Sequence, residues 1–206
     1  MVLNMLMLNL PVEKIGGEMY ELLTMANRTT EDVFSLLDNL LKWTKSQIGN
    51  LNVVYQDVDA VEVVDSVIDV FNMVAGLKKI TIREEKPEKL PVCTDIDMLK
   101  TIIRNLLSNA IKFSNENSEV LVKMEEQGDT VVVSVKDSGC GIDEEGQKKL
   151  LHTDTHFSTF GTNNEEGSGL GLLLCQDFAV KSGGKLWFTS KKGEGSTFYF
   201  SIPLKK

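Results

Sequence analysis

The stretch "NLLSNAIKFS", residues 105–114, decides how this chain is read. It has the apolar periodicity of a helix, yet Asn105, Asn109 and Lys112 interrupt it. Asparagine is a poor helix former, because its amide competes for backbone hydrogen bonds. Offsets of four and three residues put all three polar side chains on one face. Leu99, Ile102, Ile103, Leu106 and Ala110 form an apolar stripe on the other. The polar row is either a solvated face or the wall of a site. As a wall it has a definite chemistry: an amide oxygen is a hard ligand suited to Mg²⁺, and a lysine one turn on suits a phosphate.

Working outward, Asp95 is expected to cap this helix, which runs to about Phe113. Upstream, Asp59 caps a helix with Val64, Val67, Ile68, Phe71, Val74 and Ala75 on one face, and "KITIREE" (79–85) is a short strand. Downstream, "EVLVKMEE" (119–126) and "TVVVSVKD" (130–137) alternate around "QGD" and read as a hairpin. "DEEGQKKLL" (143–151) is a short helix, Leu170 to about Val180 is another, and "KLWFTS" and "STFYFSIPL" make a final hairpin across "KKGEG". Between the last two helices lies a long polar loop, residues 152–168. Such a loop in a compact domain is most often an active-site lid. The order predicts an α+β fold, with helices on one face of a mostly antiparallel sheet.

From Pro11 to about Ile48, apolar residues keep helical spacing, with Asn9 as a cap and Gly49 as a stop. A helix this long needs a partner helix. An ordinary bundle helix and a dimerising helix both fit. The opening "MVLNMLMLNL" lacks the basic start and cleavage site of a signal peptide. It is read as the edge of a larger protein.

The chain has 206 residues and a net charge of -8. That balance argues against non-specific nucleic-acid binding, which rests on Lys and Arg neutralising phosphates. The cysteines, Cys93, Cys140 and Cys175, are odd in number and widely spaced, which suggests neither a disulfide framework nor a zinc site and fits a reducing cytosol. No apolar run reaches the ~18 residues of a membrane span.

Two glycine motifs join the polar row. "DSGCGI" (137–142) ends a strand: a carboxylate, Asp137, leaves the sheet, and Gly139 and Gly141 allow a sharp turn and a close backbone approach. Asp137 could accept a hydrogen bond from an exocyclic amine. "GSGLGL" (167–172) opens a helix, where free backbone N–H groups make an anion site. Its G-x-G-x-G spacing after a polar loop is not the dinucleotide fingerprint. Either motif alone is weak. In this order around a lid, they describe a Mg²⁺–nucleotide pocket.

The chain resembles the catalytic, ATP-binding part of the sensor histidine kinases of two-component systems. "LLSNAIKFS" is similar to that family's N box, "DSGCGI" to its G1 box, "FSTFGT" (157–162) to its F box, "GSGLGL" to its G2 box and "GSTFYFSIPL" to its closing strand. The match covers about 52–206. "LLDNLLKWTKSQIGNL" (36–51) resembles the second helix of the dimerisation domain, so 1–51 is expected to be part of that domain without its first helix and acceptor histidine. "FSTFGTNNEEGSGLGLLLC" looks like the large hybrid sensor proteins of gut-type bacteria.

The resemblance implies a two-layer α/β sandwich preceded by a long helix, with ATP and Mg²⁺ bound beneath the lid. It implies that Asn109 holds Mg²⁺ with Asn105 supporting the same side. Lys112 meets phosphate oxygens, Phe113 packs against the base, and Asp137 accepts the adenine amino proton. Gly139, Gly141 and Ile142 belong to the base side. Phe157 lies in the lid, 157–168. Gly167, Ser168, Gly169, Leu170 and Gly171 hinge it and wrap the phosphates, and Thr197 sits near Asp137. It implies as partners a histidine-bearing dimerisation helix and a response-regulator receiver domain, in a homodimeric parent anchored in the bacterial inner membrane with this part in the cytoplasm.

Gyrase-type and chaperone ATPases place a glutamate base one turn before the metal-binding asparagine. Here that residue is Asn105, and an amide cannot take a proton at neutral pH, which favours phosphoryl transfer over hydrolysis. No Lys or Arg occurs between Lys149 and Lys181, so the lid brings no cation for the γ-phosphate, where the family often has one near Phe160. A degenerate nucleotide-binding regulatory module is the alternative. His152 and His156 are read as lid residues, not zinc ligands.

Overall fold

The computed structural model describes residues 52–150, 161–162, 165 and 169–204, with single helical positions at 19, 26, 30, 33, 37, 40, 41 and 44. The chain divides into two compact units, Met1–Gln47 and Ile48–Lys206.

In the first unit the hydroxyls of Thr30 and Thr44 donate back to Ala26 O (2.8 Å) and Leu40 O (2.9 Å), the local bond that lets threonine sit inside a helix. Met19, Val33, Leu37, Leu40 and Leu41 are exposed. The rest of the helix expected from Pro11 to Ile48, with Asn9 and Gly49 at its ends, lies outside the described residues.

The second unit runs β1 (Gln56–Asp59), α1 (Ala60–Leu77), β2 (Thr81–Glu85), β3 (Pro91–Thr94), α2 (Ile96–Phe113), β4 (Glu119–Gln127), β5 (Thr130–Lys136), α3 (Glu144–Lys149), α4 (Gly171–Lys181), β6 (Leu186–Lys191) and β7 (Gly195–Pro203). Two aspartates start the main helices. Asp59 accepts from Val61 N (3.0 Å) and also from Leu90 N (2.9 Å). Asp95 accepts from Asp97 N and Met98 N on one oxygen and from Val54 N (2.8 Å) on the other. Each cap thus satisfies orphan N–H groups of its helix and ties down a distant segment. α1 stops where Lys79 turns left-handed, φ 55°.

Five strands pair in the order β2-β4-β5-β7-β6. β2 runs parallel to β4, and the other pairs are antiparallel. Alternation fixes the faces. Val131, Val133 and Val135 on β5 are paired with Ile202, Phe200 and Phe198 on β7, and all six are buried. α2 packs between α1 and α4, burying Leu99, Ile103, Leu106 and Leu107. The result is the two-layer α/β sandwich that the sequence predicts.

Two details differ from the sequence reading. β1 and β3 form a separate two-stranded antiparallel sheet, Gln56 opposite Thr94; these short, polar segments carry no period-2 signal. Val74, expected on the core face of α1, is exposed together with Val70, Met73 and Leu77. The core face follows Val64, Val67, Ile68 and Ala75 and ends on the buried Lys78, so Val74 falls outside it. Among the described residues no helix is long and apolar enough to cross a membrane.

Candidate functional site

The site grows from the end of α2. Asn105 Nδ2 donates to Thr101 O at 2.9 Å, which answers half of the amide inside its own helix. Its Oδ1 faces the start of α4: a Cβ at Gly171 would lie 2.5 Å from it. Asn105 is therefore a packing post for α4, and Gly171 is glycine because that post leaves no room. Asn109, one turn on, is half-buried, and its side-chain amide makes no hydrogen bond with any described residue. Lys112 Nζ stands 4.9 Å above the centre of the Phe113 ring, a cation–π contact.

β5 delivers the acid. Asp137 follows its last residue and is 4% exposed. Gly139 N (2.9 Å) and Ser196 N (3.2 Å) both donate to Oδ1. No described residue donates to Oδ2. Burial pushes the carboxyl above the usual carboxylate range, against the pull of these N–H groups. The loop after Asp137 is pressed on two sides. A Cβ at Gly139 would overlap the carbonyl oxygen of Phe113, and one at Gly141, φ 60°, would overlap that of Lys191. Cys140 N donates to Phe113 O (3.4 Å), and Gly193 N to Cys140 O (2.7 Å). The close fit brings Phe113 and the Asp137 loop together although 24 positions separate them in "F113…D137".

A hydroxyl latches the loop. Ser190 Oγ accepts from Ile142 N at 2.8 Å and lies 2.9 Å from Ser196 Oγ. Gln147 Nε2 donates to Ile142 O (2.7 Å) and Ser190 O (3.1 Å), so α3 closes the same latch. At the other end of the site, Gly169 takes φ 68° and Leu170 stands as the N-cap of α4 without a side-chain cap bond. The first N–H groups of α4 therefore keep no side-chain acceptor from their cap. Phe157, Gly167, Ser168, His152 and His156 lie outside the described residues.

The resemblance implies a place for Thr197 near Asp137. Thr197 is paired with Lys136 and has the opposite parity to the buried Phe198 and Phe200, so its side chain leaves the other face of the sheet. Ser196, one residue earlier, bonds Asp137 through both its N–H and its carbonyl. Ser196, Ser190 and Gln147 were missed. Ser196 shares the parity of Phe198, Phe200 and Ile202, but only the register of β5 and β7 brings it to Asp137; the other two depend on contacts distant in sequence.

No group of three or more His, Cys, Asp or Glu among the described residues could hold a metal ion. Mg²⁺ asks for less. It binds through one or two protein oxygens and takes the rest of its shell from phosphates and water. An amide oxygen on Asn109 with no competing hydrogen bond from a described residue fits that requirement.

Residues 94–206 match the family described as histidine kinase-, DNA gyrase B-, and HSP90-like ATPase. The chain belongs to this family. Within the ATPase family it is similar to the adaptive-response sensory kinase SasA of Rippkaea orientalis, 30% identical over 171 residues, 82% of this chain and 43% of that protein. It is also similar to the sensor protein EvgS of Escherichia coli O157:H7, 29% identical over 191 residues, 90% of this chain and 16% of that protein. Among solved structures, the catalytic domain of the histidine kinase ThkA superposes with a TM-score of 0.64 at 30% identity, covering 73% of this chain and 96% of that one. The chain thus spans less than half the length of these two curated relatives, and nearly all of the ThkA domain. Its ATPase-family fold is the histidine-kinase type.

Proposed function

We propose that the second unit binds Mg²⁺–ATP and transfers the γ-phosphate to a histidine outside this chain, as the catalytic domain of a sensor histidine kinase. The observation that carries the reading is Asp137: a buried carboxylate with one oxygen held by two backbone N–H groups and the other left for a ligand. An exocyclic amine such as that of adenine supplies the missing donor. Phe113 offers a ring to the base, and Lys112 exchanges its contact with that ring for a phosphate oxygen. The start of α4, with Gly169 and Gly171, offers backbone N–H groups to the phosphates. Asn109 offers its amide oxygen to Mg²⁺, with Asn105 behind it as the post for α4. Bound Mg²⁺ would neutralise charge on the β- and γ-phosphates.

In the transfer, an imidazole nitrogen forms a bond to the γ-phosphorus, the bond from phosphorus to the bridging oxygen breaks, and ADP leaves. The acceptor would stand on a histidine-bearing dimerisation helix, and a response-regulator receiver domain would take the phosphoryl group from it. The exposed apolar Met19, Val33, Leu37, Leu40 and Leu41 of the first unit favour a homodimeric parent. The free state of Cys93, Cys140 and Cys175 favours the cytoplasm; we place the rest of the parent at the bacterial inner membrane. Against hydrolysis stands Asn105, whose N–H is committed to Thr101 O and whose oxygen is no base.

Calorimetry with Mg²⁺–ATP and Mg²⁺–GTP tests the binding, and labelled ATP with an acceptor helix supplied in trans tests the transfer. Binding of ATP over GTP and acid-labile label on the helix are expected. Release of free phosphate without label on the helix would favour the hydrolase, and absence of ATP binding would favour a regulatory module.

A further inference from the structure

We propose that Lys78 is a positioning residue of the nucleotide site, holding the end of α2, Thr162 and Glu165 in one arrangement around its buried ammonium. The inference rests on the ATP-binding reading above. Lys78 follows α1 and is 7% exposed. A lysine is almost never buried without partners, and this one is surrounded by them. Its Nζ donates to Ile111 O at 3.0 Å, Lys112 O at 2.9 Å and Thr162 Oγ1 at 2.5 Å, and lies 3.3 Å from Glu165 Oε1. Three N–H donors thus meet four acceptors, so the ammonium is fully engaged.

Two of those acceptors are carbonyls of the last turn of α2, which have no partner within the helix. Lys78 is in effect a C-cap supplied from a neighbouring helix, where the helix dipole favours a cation. The same turn carries Lys112 and Phe113, the residues assigned to phosphate and base. On its other side the ammonium holds Thr162 and Glu165, and Gly161 N donates to Glu165 O at 2.9 Å. Thr162 N donates to Lys112 O at 3.2 Å, and Thr162 Oγ1 donates to Ser114 O at 2.8 Å. A Cβ at Gly161 would stand 2.6 Å from Lys112 Cγ and closer still to the Glu165 carboxylate. The Lys112 carbonyl is therefore gripped by both Lys78 and Thr162. Asp137 is bonded to none of this cluster. The cluster grips the Lys112 carbonyl directly, whereas Phe113 is also held from the other side by Cys140 N, so loosening the cluster would disturb the phosphate end of the site more than the base end.

Calorimetry on the full chain with Mg²⁺–ATP and with adenosine separates these effects, alongside thermal unfolding. Lys78→Met keeps the stem and removes the charge; Glu165→Gln removes the counter-charge. Each is expected to weaken Mg²⁺–ATP about tenfold, the scale for losing a charge-assisted hydrogen bond, while adenosine affinity stays near the wild-type value. Unchanged Mg²⁺–ATP affinity in both variants, beside a wild type that binds, overturns the proposal alone. Equal losses for adenosine and ATP also overturn it, since they mark general damage. A wild type that binds no ATP removes the nucleotide reading beneath it. Should Lys78→Met not fold, Glu165→Gln and Thr162→Val decide by the same criteria.

Discussion

Asp137→Asn tests the base-selecting contact with almost no change of shape. The amide can keep its oxygen on the two N–H groups of Gly139 and Ser196, at 2.9 and 3.2 Å. Its NH₂ then occupies the place of Oδ2, where it confronts the adenine amine as donor against donor. Leaving a buried polar group without its partner costs about 1–3 kcal/mol, which is roughly a five- to 150-fold rise in Kd for ATP at 1.4 kcal/mol per decade. Inosine triphosphate, with a carbonyl oxygen where adenine has its amine, should lose less or gain. Calorimetry with both nucleotides measures the pair. An ATP affinity within twofold of wild type, in a variant that unfolds cooperatively, refutes the reasoning. The unliganded protein gives an independent check. Burial holds the Asp137 carboxyl above its usual range, so the folded state binds this proton more tightly than the unfolded chain does. Ionisation therefore costs no stability below the unfolded carboxylate value, and the full cost applies once pH has risen past the raised folded value. Stability followed through that window should fall with rising pH in the wild type by an amount absent from Asp137→Asn.

Asn109→Ala should abolish the magnesium dependence of ATP binding and spare adenosine; equal loss of both ligands would point to a role in the helix alone. Gly139→Ala drives a Cβ into the Phe113 carbonyl, which cannot yield, and should lower stability by about 1–3 kcal/mol as overpacking does. Gly76→Ala, with nothing within 4 Å of its Cβ inside α1, should instead raise stability by about 0.5–1 kcal/mol; thermal or denaturant unfolding ranks the two. Incubated alone with labelled ATP and Mg²⁺, the chain should take up no acid-labile label, because neither of its two histidines, His152 followed by Thr153 and His156 followed by Phe157, has an acidic residue directly after it to tune it. Label that disappears on replacing either histidine would overturn this.

The helices were legible because their caps are local: Asp59 and Asp95 announce α1 and α2, and the apolar spacing does the rest. The β4–β5 and β6–β7 hairpins were legible from alternation. β1 and β3 were not, because their pairing spans the whole of α1 and is registered by bonds such as Ala60 N to Leu90 O at 2.8 Å. In the site, the residues of the glycine motifs could be named, yet their reasons could not. Gly139 and Gly171 are glycines because Phe113 O and Asn105 Oδ1 press on them, and such a contact has no trace in the motif itself. Ser196, which bonds Asp137 through its N–H and its carbonyl, carried no signal in the motif itself, since strand parity shows only once the register of β5 and β7 is known. Lys78 gave no signal, because its partners Thr162 and Glu165 lie more than eighty residues away.

The strand order also says what this protein avoids. A sheet ending in β2 on one side and β6 on the other has two rims of backbone groups able to recruit a foreign strand. β2 answers with Arg83, Glu84 and Glu85 in succession. Arg83 pairs with Glu85 at 3.3 Å, while Lys86 bridges Glu84 and Asp65 at 2.5 Å each. Docking along this rim would mean stripping water from a row of ions, so growth of the sheet from molecule to molecule is discouraged there. These charges take no part in the proposed chemistry; they raise the cost of docking a foreign strand along this rim.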